Sequence, residues 1–265
     1  MLKRLTLALV AAPFGAALFA NPIDVYSPEL LAKVSGTAFV NTGNVERILL
    51  RGDAALSHHN PVWAAATTNS YLWGTFGAFR TENDWSSRNH FYLFPEARLY
   101  PFAMHWLETS YRRRINLRNQ VGAGATWAII SAPQTILKFS LMLSGEATDY
   151  GAEANLPDGT PQSTARPLMR GTPRLYFRQN LGSENTALIS ELWYQQALQT
   201  QNDYRWHWET GIEWALGKTL SLKALIVYHH ESAVPQRVVR DDFAFTFGAS
   251  AKFASEKNQT KGDTK

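Results

Sequence analysis

The sequence predicts an all-β fold, an antiparallel transmembrane β-barrel of about twelve strands, on three observations. The last extended segment places Phe243, Phe245, Phe247, Ala249, Ala251 and Phe253 on one side of a period-two strand, with Ala244, Thr246, Gly248, Ser250 and Lys252 on the other. From Val34 onward, segments of about ten to fourteen residues follow one another between turn residues, and a 3.6-residue period nowhere persists. Charges collect on one face of these segments, as in Tyr204–Leu216, where Arg205, His207, Glu209 and Glu213 alternate with Tyr204, Trp206, Trp208, Ile212 and Trp214. A charged side chain facing lipid at mid-membrane costs about 2–4 kcal/mol for Arg or Lys. The charged face is therefore expected to line the barrel and the aromatic face to meet lipid.

Residues 1–20 combine Lys3 and Arg4 with an apolar run from Leu5 to Ala20 broken by Pro13 and Gly15, the pattern of a secretory signal peptide. The run is shorter than the ~20 residues a spanning helix needs. Residues 21–33 carry two prolines and no alternation, and are expected to precede the barrel as a periplasmic segment. Residues 34–253 form the expected barrel, and 254–265 a polar tail. Without Lys3 and Arg4, 24 of the 26 basic residues face 22 acidic ones, a balance that gives no electrostatic footprint for nucleic acid. The chain has no cysteine, so closure of the sheet and packing must hold it rather than disulfides.

The expected strands start near residues 34, 45, 62, 87, 104, 119, 135, 173, 186, 203, 219 and 240. Short turns are expected at His59-Asn60-Pro61, Tyr100-Pro101-Phe102, Ala132-Pro133-Gln134, Gly182–Asn185 and Gly217-Lys218, each containing Pro or Gly. Longer connections are expected around Thr81–Ser86, Asp149–Thr172 and Glu231–Val239. An even strand count places both ends of the barrel in the periplasm and the longer connections outside the cell. The closing seam is then the pairing of Phe243–Phe253 with the strand near Val34.

The candidate functional residues are interior charges: Arg51, Asp53, Glu96, Arg98, Glu108, Arg112, Arg114, Arg178, Glu209, Glu213 and Lys223, joined by Glu146, Arg174 and Glu191. An interior carrying both signs can brace a narrow barrel by ion pairing or line a small water-filled pore. Alternation puts Leu107, Tyr111 and Ile115 outside together with Arg113, which is expected to snorkel to the headgroup layer. Adjacent strand histidines, His58-His59 and His229-His230, point apart and lack the one-face spacing of a metal site. No Gly-x-Ser-x-Gly elbow, cysteine nucleophile or phosphate loop is present, and no compact cluster of His, Ser and Asn is visible. Gly122-Ala123-Gly124 lies inside a strand, where glycine allows curvature or close side-chain packing.

The hairpin Val40-Asn41-Thr42-Gly43-Asn44, the segment Leu117–Gly124 and the stretch Tyr228–Asp242 with Pro235 resemble the family of salt-induced outer-membrane proteins, domain of unknown function 481. The resemblance covers about Val34 to Phe253 and implies a bacterial outer-membrane β-barrel; it brings no catalytic residues. The terminal strand also looks like a barrel-assembly signal, with Thr246, Gly248, Ala251 and Phe253 as its polar, glycine, apolar and aromatic positions, followed by a tail such signals usually lack.

Phe243, Phe245, Phe247 and Phe253 are thus expected to face lipid, and Gly248 to lie on the lumen wall. The expectation is a non-enzymatic protein of the bacterial outer membrane, without cofactor or metal, structural in the envelope or a narrow pore for small solutes. Its expected partners are outer-membrane lipids and, during biogenesis, the barrel-assembly machinery, with no nucleic acid. An outer-membrane lipid-modifying enzyme and a soluble exported β-sandwich are the alternatives. The sandwich would bury the Phe243 face against a second sheet.

Overall fold

The computed structural model describes residues 29–41, 46–151, 166–182, 185–235 and 238–254. The expected signal peptide, most of the segment 21–33 and almost all of the polar tail lie outside the described residues. Twelve strands follow in chain order: β1 (Leu30–Asn41), β2 (Arg47–His59), β3 (Trp63–Phe76), β4 (Phe79–Leu93), β5 (Leu99–Ser110), β6 (Ile115–Ser131), β7 (Thr135–Tyr150), β8 (Arg166–Asn180), β9 (Thr186–Ala197), β10 (Tyr204–Ala215), β11 (Leu220–Glu231) and β12 (Asp241–Ala254). Each pairs antiparallel with its neighbours in sequence, and β1 pairs with β12 to close the ring.

Closure rules out the two-sheet sandwich. Phe243, Phe245, Phe247 and Phe253 stand exposed on the outside, 56%, 48%, 64% and 58% accessible, with no second sheet against them. Gly248 lies on the inward side of β12, close to Thr37 of β1. We call the end where β1 begins and β12 finishes the terminal end, and the opposite one the loop end.

Several expected boundaries differ. β1 begins at Leu30, so Leu30–Lys33 belong to the barrel wall and pair with β2. Thr81–Ser86 is no connection: it lies within β4, and β3 turns into β4 through Gly77-Ala78 alone. Gly77 has φ +56°, which a two-residue hairpin needs at this position and an L side chain resists. Polar residues suggested a loop here, although half of them face the lumen.

Tyr100-Pro101-Phe102 is likewise not a turn; the chain turns at Phe94–Arg98, with Phe94 at φ 51°. Pro101 sits in β5 beyond the last residue pair with β4, Tyr92↔Phe102, so its missing N–H costs no ladder bond on that side. Residues 167–172, expected in a loop, are part of β8. Pro167 lies beyond the β9 ladder, and Pro173 falls in the gap between its pairs Gly171↔Gln196 and Arg174↔Trp193. Proline marked edges of local pairing here, not turns.

Gly122 of β6 packs close to β7: a Cβ there would sit 2.7 Å from the Cβ of Ser144. This close approach lets Gln120 Nε2 donate to Ser144 Oγ at 2.7 Å deep in the wall.

The hairpin at Gly77 offers a direct check. Gly77→Val is expected to lower folding stability by about 1–2 kcal/mol, the cost of a left-handed backbone at a non-glycine residue. Ala78→Val is expected to stay within about 0.5 kcal/mol. Urea titration of folding into detergent micelles measures both.

Candidate functional site

The lumen is the site, because period-two alternation sends the chain's charges and several rings into one enclosed space. At the loop end an ion-pair network crosses it. Arg118 of β6 donates to Glu231 of β11, five strands away round the ring, and also to Glu108 of β5 at 3.2 Å. Arg205 of β10 pairs with Glu146 of β7, and Arg170 of β8 joins Glu146 at 3.1 Å and Asp203 at 2.9 Å. Arg118, Arg205 and Glu146 are almost completely buried, so these charges rely on one another rather than on water.

Arg113 belongs to this network, contrary to the expectation that it snorkels outward. It pairs with Glu108 and, at 3.3 Å, with Glu231. β5 stops at Ser110, and the four-residue turn 111–114 breaks the alternation that had been carried through it. The same break corrects Ile115, which faces inward and is 3% exposed. Arg112 and Arg114 are turn residues rather than strand interior. Arg112 lies 3.8 Å from Asp242, and Arg114 has φ 56°.

Below this network an aromatic layer fills the middle of the lumen. Trp106 of β5 meets Trp193 of β9 edge to face at 6.1 Å. The Arg88 guanidinium lies 4.3 Å from the Trp106 ring centroid, with Arg205 at 5.7 Å. His207 stacks on Trp193 at 5.1 Å and meets His229, its cross-strand partner, at 6.0 Å. Arg88, Trp106 and Trp193 line both of two small cavities of about 40 Å³ each, so they form the partition between them. Roughly 10–15 Å³ holds one water, so each cavity takes only a few.

The terminal end is wider, with a cavity of about 210 Å³. Lys33 Nζ donates to Glu213 at 2.9 Å across three strands, and Ser221 Oγ donates to the same carboxylate at 2.8 Å. Arg178 lines this cavity, while Lys223 stands beside Glu213 in the register of β10 and β11.

Of the other expected charges, Arg51 and Asp53 pair at 2.6 Å, and Ser70 Oγ donates to Asp53 at 2.7 Å. Arg174 and Glu191 pair at 2.6 Å. Glu209 is 2% exposed, 3.5 Å from His207. Glu96 and Arg98 do not line a strand interior: both lie in the exposed turn between β4 and β5, where Glu96 approaches His59 at 3.5 Å.

Sequence reasoning placed Arg205 on the inward face but missed Lys33, Arg118, Arg170, Trp106 and Trp193 as lumen contacts. Alternation could have flagged Trp106 and Trp193, which share faces with Glu108 and Glu191. Which strands meet across the lumen has no local signal.

The paired histidines do point apart. His58 packs on Trp63 outside at 4.5 Å while His59 is buried inside; His229 faces the lumen while His230 bonds Asp241 outside at 2.8 Å. Among the described residues no three of His, Asp and Glu converge as a metal site. One His–Asn pair was not anticipated: His105 and Asn119 meet outside the barrel at 3.1 Å, and among the described residues no serine bonds to His105.

Glu231→Gln should destabilise the barrel by about 3–5 kcal/mol, because Arg118 and Arg113 then lose a buried counter-charge. Glu96→Gln in the exposed turn should change stability by less than about 0.5 kcal/mol. Equilibrium urea unfolding in detergent compares them.

No curated protein matches the sequence. Among solved structures, the NanC porin aligns over 86% of this chain and all of its own length, at 8% identity and a TM-score of 0.49. An outer-membrane channel from Pseudomonas putida F1 aligns over 84% of this chain and 94% of its own, at 12% identity and a TM-score of 0.49. The translocator domain of the autotransporter NalP from Neisseria meningitidis covers 84% and 87%, at 12% identity and a TM-score of 0.47. The family model described as "Protein of unknown function, DUF481" matches residues 36–253, the barrel from β1 to β12. The chain belongs to that family.

Proposed function

We propose that this protein is a non-enzymatic β-barrel of the bacterial outer membrane whose lumen is braced shut at rest, with an envelope-structural role. The observation that carries the reading is the pairing of Arg118 with Glu231 across the lumen, above a partition of Arg88, Trp106 and Trp193. An open porin keeps a water-filled channel; here charges and rings meet in its place.

Membrane residence is supported by the outward face. Leu50, Leu56, Leu141, Leu143, Ile212, Phe245 and Phe247 are exposed on strands of 12 to 17 residues, longer than the ~9–11 a tilted spanning strand needs. Rings gather toward both ends. Trp63 stacks with Phe91 at 6.1 Å near the terminal end, and Trp206 packs on Tyr228 at 4.6 Å near the loop end, as in the aromatic girdles of spanning barrels. The tight turns of the terminal end suit the periplasm.

The alternative of a narrow pore draws on the cavity at the terminal end, which forms a vestibule below the partition. A lipid-modifying enzyme needs a nucleophile, a base and an orienting group at one depth. His105 and Asn119 supply at most two of these.

Two measurements test the reading. In planar bilayers the purified barrel should give no conductance steps, whereas Trp106→Ala/Trp193→Ala/Glu231→Gln, which removes both rings of the partition and the Arg118 counter-charge above it, should conduct; steps of porin size from the unaltered protein would overturn the braced state. In liposome folding, Trp208→Arg should cost about 2–4 kcal/mol and impair insertion more than Glu209→Gln. The reverse order would mean that the faces are exchanged.

A further inference from the structure

The outward face is not apolar all the way round. Two adjacent rows of cross-strand partners run from β2 to β6 at mid-height. One is Ala54, Asn69, Ser87, Leu107 and Asn119; the next is Leu56, Thr67, Asn89, His105 and Val121. Six of these ten residues are polar and uncharged. Five of the six stand outside because their neighbours Thr68, Ser70, His90, Met104, Trp106 and Arg118 are buried on the lumen side. Ser87 shares that side through its pairing with Asn69 and Leu107, and is itself only 8% exposed. The opposite wall at β9–β12 presents Leu192, Trp208, Ile212, Phe245 and Phe247 instead.

In hydrocarbon such groups need partners. The patch satisfies itself only in part: Asn69 Nδ2 donates to Thr67 Oγ1 at 3.2 Å, Asn89 Nδ2 to Ser87 Oγ at 3.3 Å, and His105 Nε2 bonds Asn119 Oδ1 at 3.1 Å. The Oδ1 atoms of Asn69 and Asn89 have no side-chain donor among the described residues. The rows that flank the patch mix small residues with rings: Gly52 pairs with Tyr71, and Ala65 and Ala103 stand on either side of Phe91.

We infer that this face of β3–β6 is the contact between two copies of the barrel in the membrane. The inference rests on the outer-membrane reading above. The chemistry favours a second copy because Asn, Ser, Thr and His each offer both a donor and an acceptor, so a two-fold axis through the patch pairs it with itself. No like charges oppose one another across such a contact. A charged partner would find nothing here to match.

The absence of cysteine makes the test clean. Asn89→Cys, near the centre of the patch, and Asn69→Cys as a second variant are treated in isolated outer membranes with a short bifunctional thiol reagent. Ile212→Cys on β10, six strands round the ring and 45% exposed, is the control. The expected result is a cross-linked species of twice the chain mass from Asn89→Cys and Asn69→Cys and none from Ile212→Cys. Folding is checked by heat-modifiable gel mobility.

Folded protein in the outer-membrane fraction that stays monomeric at both positions, or cross-links equally at Ile212→Cys, overturns the dimer and leaves the membrane reading standing. Protein recovered in the soluble fraction overturns the membrane reading itself. Cross-linking to a species of another mass overturns the second copy as occupant. Labelling of Ser87 by a fluorophosphonate does so too, since the face would then be a lipid hydrolase site.

Discussion

Closure of the sheet through β1 and β12 is the contact on which the other features depend. A strand in an open sheet exposes a row of unpaired N–H and C=O groups, whereas a ring has no edge. Once the ring is closed, period-two alternation has only two destinations, an enclosed lumen and an outer surface. Glu231 and Phe245 owe their opposite surroundings to a difference of parity within adjoining strands. The same closure brings Arg118 of β6 within reach of Glu231 of β11, although the two lie five strands apart.

The lumen then has to solve an electrostatic problem created by its own wall. Guanidinium and carboxylate groups withdrawn from water are tolerated when paired and hydrogen-bonded, and here the pairing is shared among Arg113, Arg118, Arg170, Arg205, Glu108, Glu146 and Glu231. Sharing lets each carboxylate answer more than one cation. The aromatic layer beneath gives the remaining cations a face to rest on, as with Arg88 over Trp106. Charge and ring together occupy the space that water holds in a wide channel.

Much of this was legible in the chain. Alternation in Tyr204–Leu216 and Phe243–Phe253 assigned inner and outer faces, and the pairing of the first and last strands followed from an even strand count. The failures have a common physical origin. Parity is a local count that a turn resets, which is why Arg113 and Ile115 fell on the wrong side of a four-residue turn. Proline was taken for a turn at Pro101, where it marks the end of pairing with β4. Polar residues in Thr81–Ser86 were taken for a loop because a lumen-facing strand can be as polar as one. Contacts across the lumen, such as Trp106 with Trp193 or Lys33 with Glu213, depend on ring geometry and leave no trace in the spacing of residues.

The seam has a mechanical side. Its register runs over six residue pairs, from Leu31↔Ala254 to Gly36↔Ala249, while β1 and β2 share twelve. Hydrogen-bonded ladders fail in order of length when the load is spread evenly. A barrel with one short seam therefore has a built-in line of parting, and any swelling of the wall, whether in assembly, under lateral tension or on insertion of a foreign strand, is relieved between β1 and β12 before it is felt elsewhere.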